Sequence, residues 1–313
     1  MGGKRATEWL EADAAGVERA SELLRAGGSV ALPTETVYGL AARADDADAV
    51  AGIYRAKGRP DFNPLIVHVS DPGSAERLAR FDDRARRLAD RFWPGPLTMV
   101  LPLRENAGIA PAVTAGLPTI ALRVPGHPVM QAVLRRSGLA LAAPSANRSG
   151  LISPTAPQHV AATLDGRIAA IMDGGPCASG IESTILVLRN KGWSLLRPGP
   201  ISAETLTDML GDEMLEASQG IEAPGQMTSH YAPGKPLRLN AQAARDEEFL
   251  IGFGAIPGDC SLSATGDLAE AAVRLYECLH VAAAAAQPSI AVAPIPFSGV
   301  GAAINDRLRR AAA

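Results

Sequence analysis

Residues 29–40 read Ser-Val-Ala-Leu-Pro-Thr-Glu-Thr-Val-Tyr-Gly-Leu. Ser29 to Leu32 is a short apolar run halted by Pro33, the pattern of a buried strand with a hard stop. Thr34, Glu35 and Thr36 then form a polar cluster at its tip. Ligands of α/β sheets sit at the carboxyl ends of strands, so this cluster is placed to face a small molecule. The competing reading is an ordinary strand-to-helix turn in which Thr and Glu cap a helix. Upstream, Glu18 to Ala26 predicts an amphipathic helix closed by Gly27-Gly28.

The alternation continues downstream and predicts an α/β fold. Helices are expected at Asp45–Arg55, Asp82–Phe92, His127–Arg136 and Ser202–Leu210. Strands are expected at Pro64–Val69, Thr98–Leu103, Thr119–Val124, Leu139–Ala143, Ile168–Met172, Ser183–Leu188 and Ser194–Leu196, the last two as a hairpin. Gly211 to Ser229 has no period and contains Pro224-Gly225, which reads as a linker. A second α/β unit follows Tyr231-Ala232-Pro233-Gly234, with strands at Phe249–Phe253 and Ser289–Val292 and helices near Leu268–Ala285 and Ala302–Arg310. The expected division is 1–210, a linker at 211–234, and 235–313.

Composition narrows the class. The chain has 313 residues, 47% of them hydrophobic and 20% charged. Residues 1–200 hold 23 Lys+Arg and 19 Asp+Glu, leaving 7 and 14 for residues 201–313. The balances of +4 and −7 make the first two-thirds the host expected for an anion. Cys177, Cys260 and Cys278 are odd in number and widely spaced, which excludes a zinc knuckle and argues against a disulfide framework. A reducing cytoplasm is the compartment this implies. The most apolar tract, Val281 to Pro296, is broken by Gln287, Pro288 and Pro294, so no membrane span is expected.

Four groups of residues can carry chemistry. Thr34-Glu35-Thr36 is the first. In the second, Lys57-Gly58-Arg59 brings two cations to a loop where both can converge on a polyphosphate, with Asn63 before the following strand and His68 near its far end. A basic helix end complementing its dipole, with His68 a core histidine, explains the same residues. In the third, Ala143-Pro144-Ser145-Ala146-Asn147 leads from a strand into a loop with hydroxyl and amide donors, followed by Ser153. The fourth is scattered: Thr119 and Arg123 on one strand, Glu182-Ser183-Thr184 before another, and Arg197 after a third. Arg123 needs an anionic partner, which a bound carboxylate, Glu182 or an Asp could each supply. The chain has no Gly-x-x-x-x-Gly-Lys-[Ser/Thr], no His-Glu-x-x-His and no Gly-x-Ser-x-Gly, and Gly252-Phe253-Gly254 is a poor dinucleotide fingerprint.

In order and spacing, these blocks resemble the YrdC-like threonylcarbamoyl-AMP synthases. They are Pro33–Leu40, Lys57-x-Arg59, Asn63–His68, Trp93–Thr98, Ala143–Asn147, Glu182–Ile185 and Leu196–Gly199, with His230-Tyr231-Ala232-Pro233 matching a linker motif of the long, two-domain members. The resemblance implies a YrdC-like twisted mixed-sheet domain with a concave basic face, and a small Rossmann-like C-terminal domain. It implies a nucleotidyltransferase that joins L-threonine, bicarbonate and ATP into threonylcarbamoyl-adenylate for tRNA modification beside the anticodon. Lys57, Arg59, Ser145 and Asn147 would then be catalytic. The same four, with Asn63, Thr119, Ser153, Arg197 and Tyr231, would bind ATP. Thr36, His68, Arg123, Ala143 and Ser183 would hold threonine, and Mg²⁺ would ride mainly on the ATP phosphates with no protein metal site. The partners implied are a threonylcarbamoyl transferase and a weak tRNA contact. The competing class is a tRNA- or double-stranded-RNA-binding protein without catalysis, whose binding would be steeply salt-dependent.

Overall fold

The computed structural model describes residues 6–211, 213–216, 220, 222–224 and 230–313. In chain order the first unit runs β1 (Glu8–Glu11), α1 (Ala14–Arg25), β2 (Val30–Leu32), β3 (Gly39–Arg43), α2 (Ala47–Lys57), β4 (Ile66–His68), α3 (Pro72–Leu78), α4 (Asp83–Phe92) and β5 (Leu97–Pro102). It continues through α5 (Pro111–Thr114), β6 (Thr119–Arg123), α6 (Pro128–Ser137), β7 (Leu141–Ala142), α7 (Pro157–Leu164), β8 (Ala170–Asp173), β9 (Thr184–Arg189), β10 (Gly192–Arg197) and α8 (Ala203–Leu210). The second unit is β11 (Leu237–Arg238), β12 (Glu248–Gly252), β13 (Cys260–Ser261), α9 (Leu268–Ala284), β14 (Ser289–Val292) and α10 (Gly301–Ala311).

Local chemistry accounts for the helix ends. Asp13, Asp46, Asp71 and Asp82 each precede a helix and accept from backbone N–H groups of its first turn. That satisfies donors the helix leaves unpaired. Gly58 closes α2 at φ 61°, a left-handed conformation that glycine adopts at low cost. It turns the chain so that Arg59 leaves the helix axis.

The first unit is built on a ten-stranded mixed sheet in the order β1-β8-β2-β3-β7-β4-β6-β5-β9-β10. β2 pairs antiparallel with β3, and β4 pairs parallel with β6, setting His68 opposite Arg123. The expected hairpin is present, with Arg189 opposite Gly192 across Asn190-Lys191. The second unit is a parallel sheet, β11-β14-β12-β13. Its core is continuous with the first unit, because Val37, Ile152 and Ile181 pack among Tyr276, Leu275 and Ile304.

Two expectations are corrected. The Thr34–Thr36 cluster is not a strand-to-helix turn: the chain doubles back as β3, with Leu32 opposite Gly39. Gly39 suits that return because a Cβ there would lie 3.3 Å from the Ala143 Cβ. Second, Cys260 and Cys278 form a disulfide, their Cα atoms 6.0 Å apart, because β13 packs against α9. The wide spacing concealed this pairing, and Cys177 is the free, buried cysteine. The described residues of the predicted linker are anchored; residues 212, 217–219, 221 and 225–229 of it lie outside the described residues. The Trp193 N–H donates to the Glu213 carbonyl at 3.2 Å, and the Leu215 N–H donates to that of Trp193 at 2.7 Å. Arg189 pairs with Glu222 at 2.7 Å, and Ala223 is buried against Ile66, Val100 and Ala121. Among the described residues no helix is long and apolar enough to cross a membrane.

Candidate active site

Strand ends and the linker converge on a partly open cleft. The loop after β2 supplies Thr34, Thr36 and Val37, and β4 supplies Ile66 and His68. β6 supplies Arg123, and the loop after β7 supplies Ala143, Pro144 and Ser145. Glu182 and Ser183 enter before β9, Arg197 ends β10, and Arg59 follows α2. Pro224, His230 and Tyr231 of the linker close the wall.

One group of side chains centres on Arg123, which is buried. Its Nε donates to the Gly95 carbonyl at 3.1 Å, and its Nη1 donates to Thr36 Oγ1 at 2.9 Å. Its Nη2 stands 2.7 Å from Glu35 Oε1. The partner that Arg123 requires is therefore Glu35, which the sequence reading did not consider. Burial pushes the Glu35 carboxyl up, but the Arg123 charge and hydrogen bonds from Arg123 and the Gly126 backbone outweigh it and hold the pKa low. His68 lies beside Arg123 in the register, and burial together with the Arg123 charge lowers its pKa to about 3. The imidazole is neutral at pH 7, with a buried Nδ1 that has no hydrogen-bond partner. Ser183 Oγ lies 2.7 Å from Thr98 Oγ1 and accepts from Arg197 Nη2 at 3.0 Å.

The second group holds Arg59, Arg197 and Ser145. Arg59 is anchored through the Asn63 and Pro64 carbonyls at 3.2 and 2.9 Å. Burial lowers its pKa to about 10, and it stays charged at neutral pH. Arg197 Nε donates to the Ser183 carbonyl at 3.1 Å. Two guanidiniums beside a hydroxyl suit phosphate oxygens.

Several expected site residues stand behind this wall. Lys57 does not line the cleft. Its ammonium donates to the Ser145 carbonyl (2.6 Å), the Asn147 carbonyl (2.5 Å) and Asn147 Oδ1 (3.3 Å). An ammonium has three donors, so all three brace the 145–147 loop. Asn147 also accepts from Ser145 Oγ at 2.6 Å and donates to the Leu151 carbonyl at 2.7 Å. Asn63 is buried below Arg59 and Tyr54, whose side chains donate to its carbonyl. Ser153 Oγ donates to Glu182 Oε1 at 2.6 Å. Thr119 starts β6, four residues from Arg123 and opposite Pro102, about 13 Å along the strand and away from the cleft.

Sequence reasoning named Tyr231 of the linker for the nucleotide but missed Tyr276 and Arg307, which the second unit contributes behind it. Tyr231 is fully buried, its hydroxyl lacks a hydrogen-bond partner, and its φ of 66° is rare for a non-glycine residue. Its ring lies 5.5 Å beneath the Arg307 guanidinium and 5.6 Å from Tyr276. Arg307 in turn pairs with Glu182 at 2.8 Å. A carboxylate set between Ile181 and Ser183 signals a buried partner, but its partner is 125 residues away and no local pattern names it.

A family model described as Telomere recombination, that of Sua5, YciO and YrdC, matches residues 22–199. The chain belongs to this family. A second model, described as Threonylcarbamoyl-AMP synthase, C-terminal domain, matches residues 201–313. The threonylcarbamoyl-AMP synthase of Bacillus subtilis is 40% identical, with 98% of this chain and 95% of that protein covered. The protein of the same name from Pyrococcus abyssi is 36% identical over the same shares. The solved structure of P. abyssi Sua5 complexed with L-threonine superposes with a TM-score of 0.90 at 34% identity, covering 98% of both chains.

Proposed function

We propose that this protein is an L-threonylcarbamoyladenylate synthase. It condenses L-threonine, bicarbonate and ATP into threonylcarbamoyl-adenylate, pyrophosphate and water. The observation that carries the reading is the buried Arg123–Thr36–His68 group. It offers a cation for an amino-acid carboxylate beside hydroxyl and imidazole groups suited to a side-chain hydroxyl. Near full-length similarity to proteins named for this product supports it. Threonine lies in the Arg123 group, its carboxylate on Arg123, with Ser183 and the Ala143 backbone completing the pocket. The threonine amine adds to bicarbonate with loss of water to give an N-carbamate, whose oxygen attacks the α-phosphate, so pyrophosphate leaves. Such transfer depends on positioning and on neutralising phosphate charge, which Arg59 and Arg197 supply beside the Ser145 hydroxyl. Lys57 and Asn147 hold the loop that carries Ser145. Tyr231 closes the nucleotide side.

Mg²⁺ fits as an ion carried by the triphosphate. The cleft offers guanidiniums and hydroxyls, while Glu35 and Glu182 are each paired with an arginine. Bound there, Mg²⁺ would neutralise phosphate charge. We place the enzyme in the cytoplasm, where ATP and tRNA meet, handing its product to a threonylcarbamoyl transferase and touching tRNA weakly.

The test is pyrophosphate release from ATP with and without threonine and bicarbonate, with serine and valine as controls. Release requiring threonine and bicarbonate, and falling steeply with valine, is expected, because buried polar groups left unpaired penalise a substrate without the hydroxyl. No release with any amino acid from folded protein refutes the reading.

A further inference from the structure

The segment Gly180-Ile181-Glu182-Ser183 belongs to both units. At Gly180, φ is 69°, and a Cβ would lie 2.4 Å from the Val273 Cα and carbonyl oxygen, so the backbone of α9 rests directly on it. Ile181 is buried in the core of the second unit. Glu182 then gathers donors from both sides. The Tyr276 hydroxyl lies 3.1 and 2.9 Å from its two carboxylate oxygens, Arg307 Nε donates at 2.8 Å and Ser153 Oγ at 2.6 Å. Arg307 is fully buried and fixed on its other side by Asp306 at 2.8 Å. The next residue, Ser183, is cleft wall, held by Arg197 through both its hydroxyl and its carbonyl. Two groups of the second unit thus bond a residue of the cleft wall.

A buried ion pair is weak evidence of stabilisation, since an apolar contact of the same shape often serves as well. What a fully hydrogen-bonded carboxylate does better is hold one geometry, because each bond constrains distance and direction. Three donors converge here on the single side chain adjoining Ser183, and the Arg197 charge also faces it. β9 begins immediately after this segment.

We propose that Tyr276 and Arg307 are positioning residues for adenylate formation: by fixing Glu182 they set Ser183 and Arg197, so the second domain shapes the substrate cleft without touching substrate. This rests on the functional reading above, and the experiment separates the two. Pyrophosphate release is measured on the full chain for Tyr276→Phe, which keeps the ring, and for Arg307→Lys, which keeps the charge. Val292→Ala, buried in β14 of the second domain, serves as a matched destabilising control. Removing one hydrogen bond to a carboxylate is expected to lower kcat/KM for threonine about tenfold in Tyr276→Phe. The loss should fail to add to that of Ser183→Ala, as for residues acting through one another. Val292→Ala should stay within about twofold of wild type, because its apolar side chain shares the core of the second unit but makes no hydrogen bond to Glu182. Wild-type kcat/KM in both Tyr276→Phe and Arg307→Lys, losses that track Tm across all three variants, or additivity with Ser183→Ala would each overturn the proposal. If the wild type releases no pyrophosphate, the functional reading falls and amide hydrogen exchange decides the coupling. Faster exchange at residues 183–186 in Tyr276→Phe, absent in Val292→Ala, upholds it; equal exchange in the two overturns it.

Discussion

Replacing Arg123 separates its two jobs. Its guanidinium neutralises Glu35 at 2.7 Å and, in the proposed reaction, receives the threonine carboxylate. Arg123→Met removes both. Breaking one side of a buried ion pair costs about 3–5 kcal/mol. The Glu35 side chain keeps 16% of its surface exposed, so a loss near 3 kcal/mol is expected. Losing a charged hydrogen-bond pair to the substrate costs about 1.5–3 kcal/mol, roughly a tenfold to hundredfold rise in the threonine KM. The double variant Arg123→Met, Glu35→Gln removes the orphaned charge. It should recover most of the stability and none of the affinity. The pH dependence has a sign as well. In the wild type the Glu35 pKa is held below its ordinary 4.5, so its stabilisation is present above that value and is lost as pH falls through the folded pKa. In Arg123→Met burial dominates and the folded pKa rises above 4.5, so that variant gains stability as pH falls. Urea unfolding between pH 4 and 8 and threonine-dependent pyrophosphate release read the two effects. A double variant with wild-type threonine KM would refute the carboxylate role, and an Arg123→Met protein as stable as wild type would refute the Glu35 pairing.

Three further outcomes are expected. Arg59→Ala should lower kcat/KM for ATP by about 10²–10³ with little change in Tm, because its partners are carbonyls of its own loop; near-normal turnover would remove it from the phosphate site. Lys57→Met leaves the 145–147 loop without its brace and should cost about 2–4 kcal/mol of stability, with activity falling alongside. A raised ATP KM at unchanged stability would show instead that the ammonium reaches the phosphates. Ending the chain at Ala232 strips the cover from Val37, Ile152 and Ile181 and orphans Glu182, so the shortened protein should lose cooperative unfolding in a calorimetric scan. A sharp transition near the wild-type Tm would refute that dependence.

What the sequence disclosed and what it concealed divide by range. Apolar period and helix caps act within one or two turns, so the α/β alternation and most helix positions were readable from residues 18 to 310. The cluster at Thr34–Thr36 was readable as a strand tip, but not as the bend into β3, because Val37–Ala42 carries an apolar run that suits helix or strand alike. Arg123 announced a need for an anion, yet its partner is set by two strands folding over each other, and three candidates fitted equally well. The roles of Lys57 and Arg59 show the same limit at closer range. A basic pair one residue apart looks equivalent on paper, whereas Gly58 ends the helix between them and sends Lys57 inward to three oxygens and Arg59 to the cleft. Glu182 marks where local reading stops altogether. Its neighbours Ile181 and Ser183 belong to a core and to a site in different units, and only the docking of α9 and α10 explains a carboxylate there. A residue that looks misplaced in its own segment is thus the place to seek a partner from a distant one.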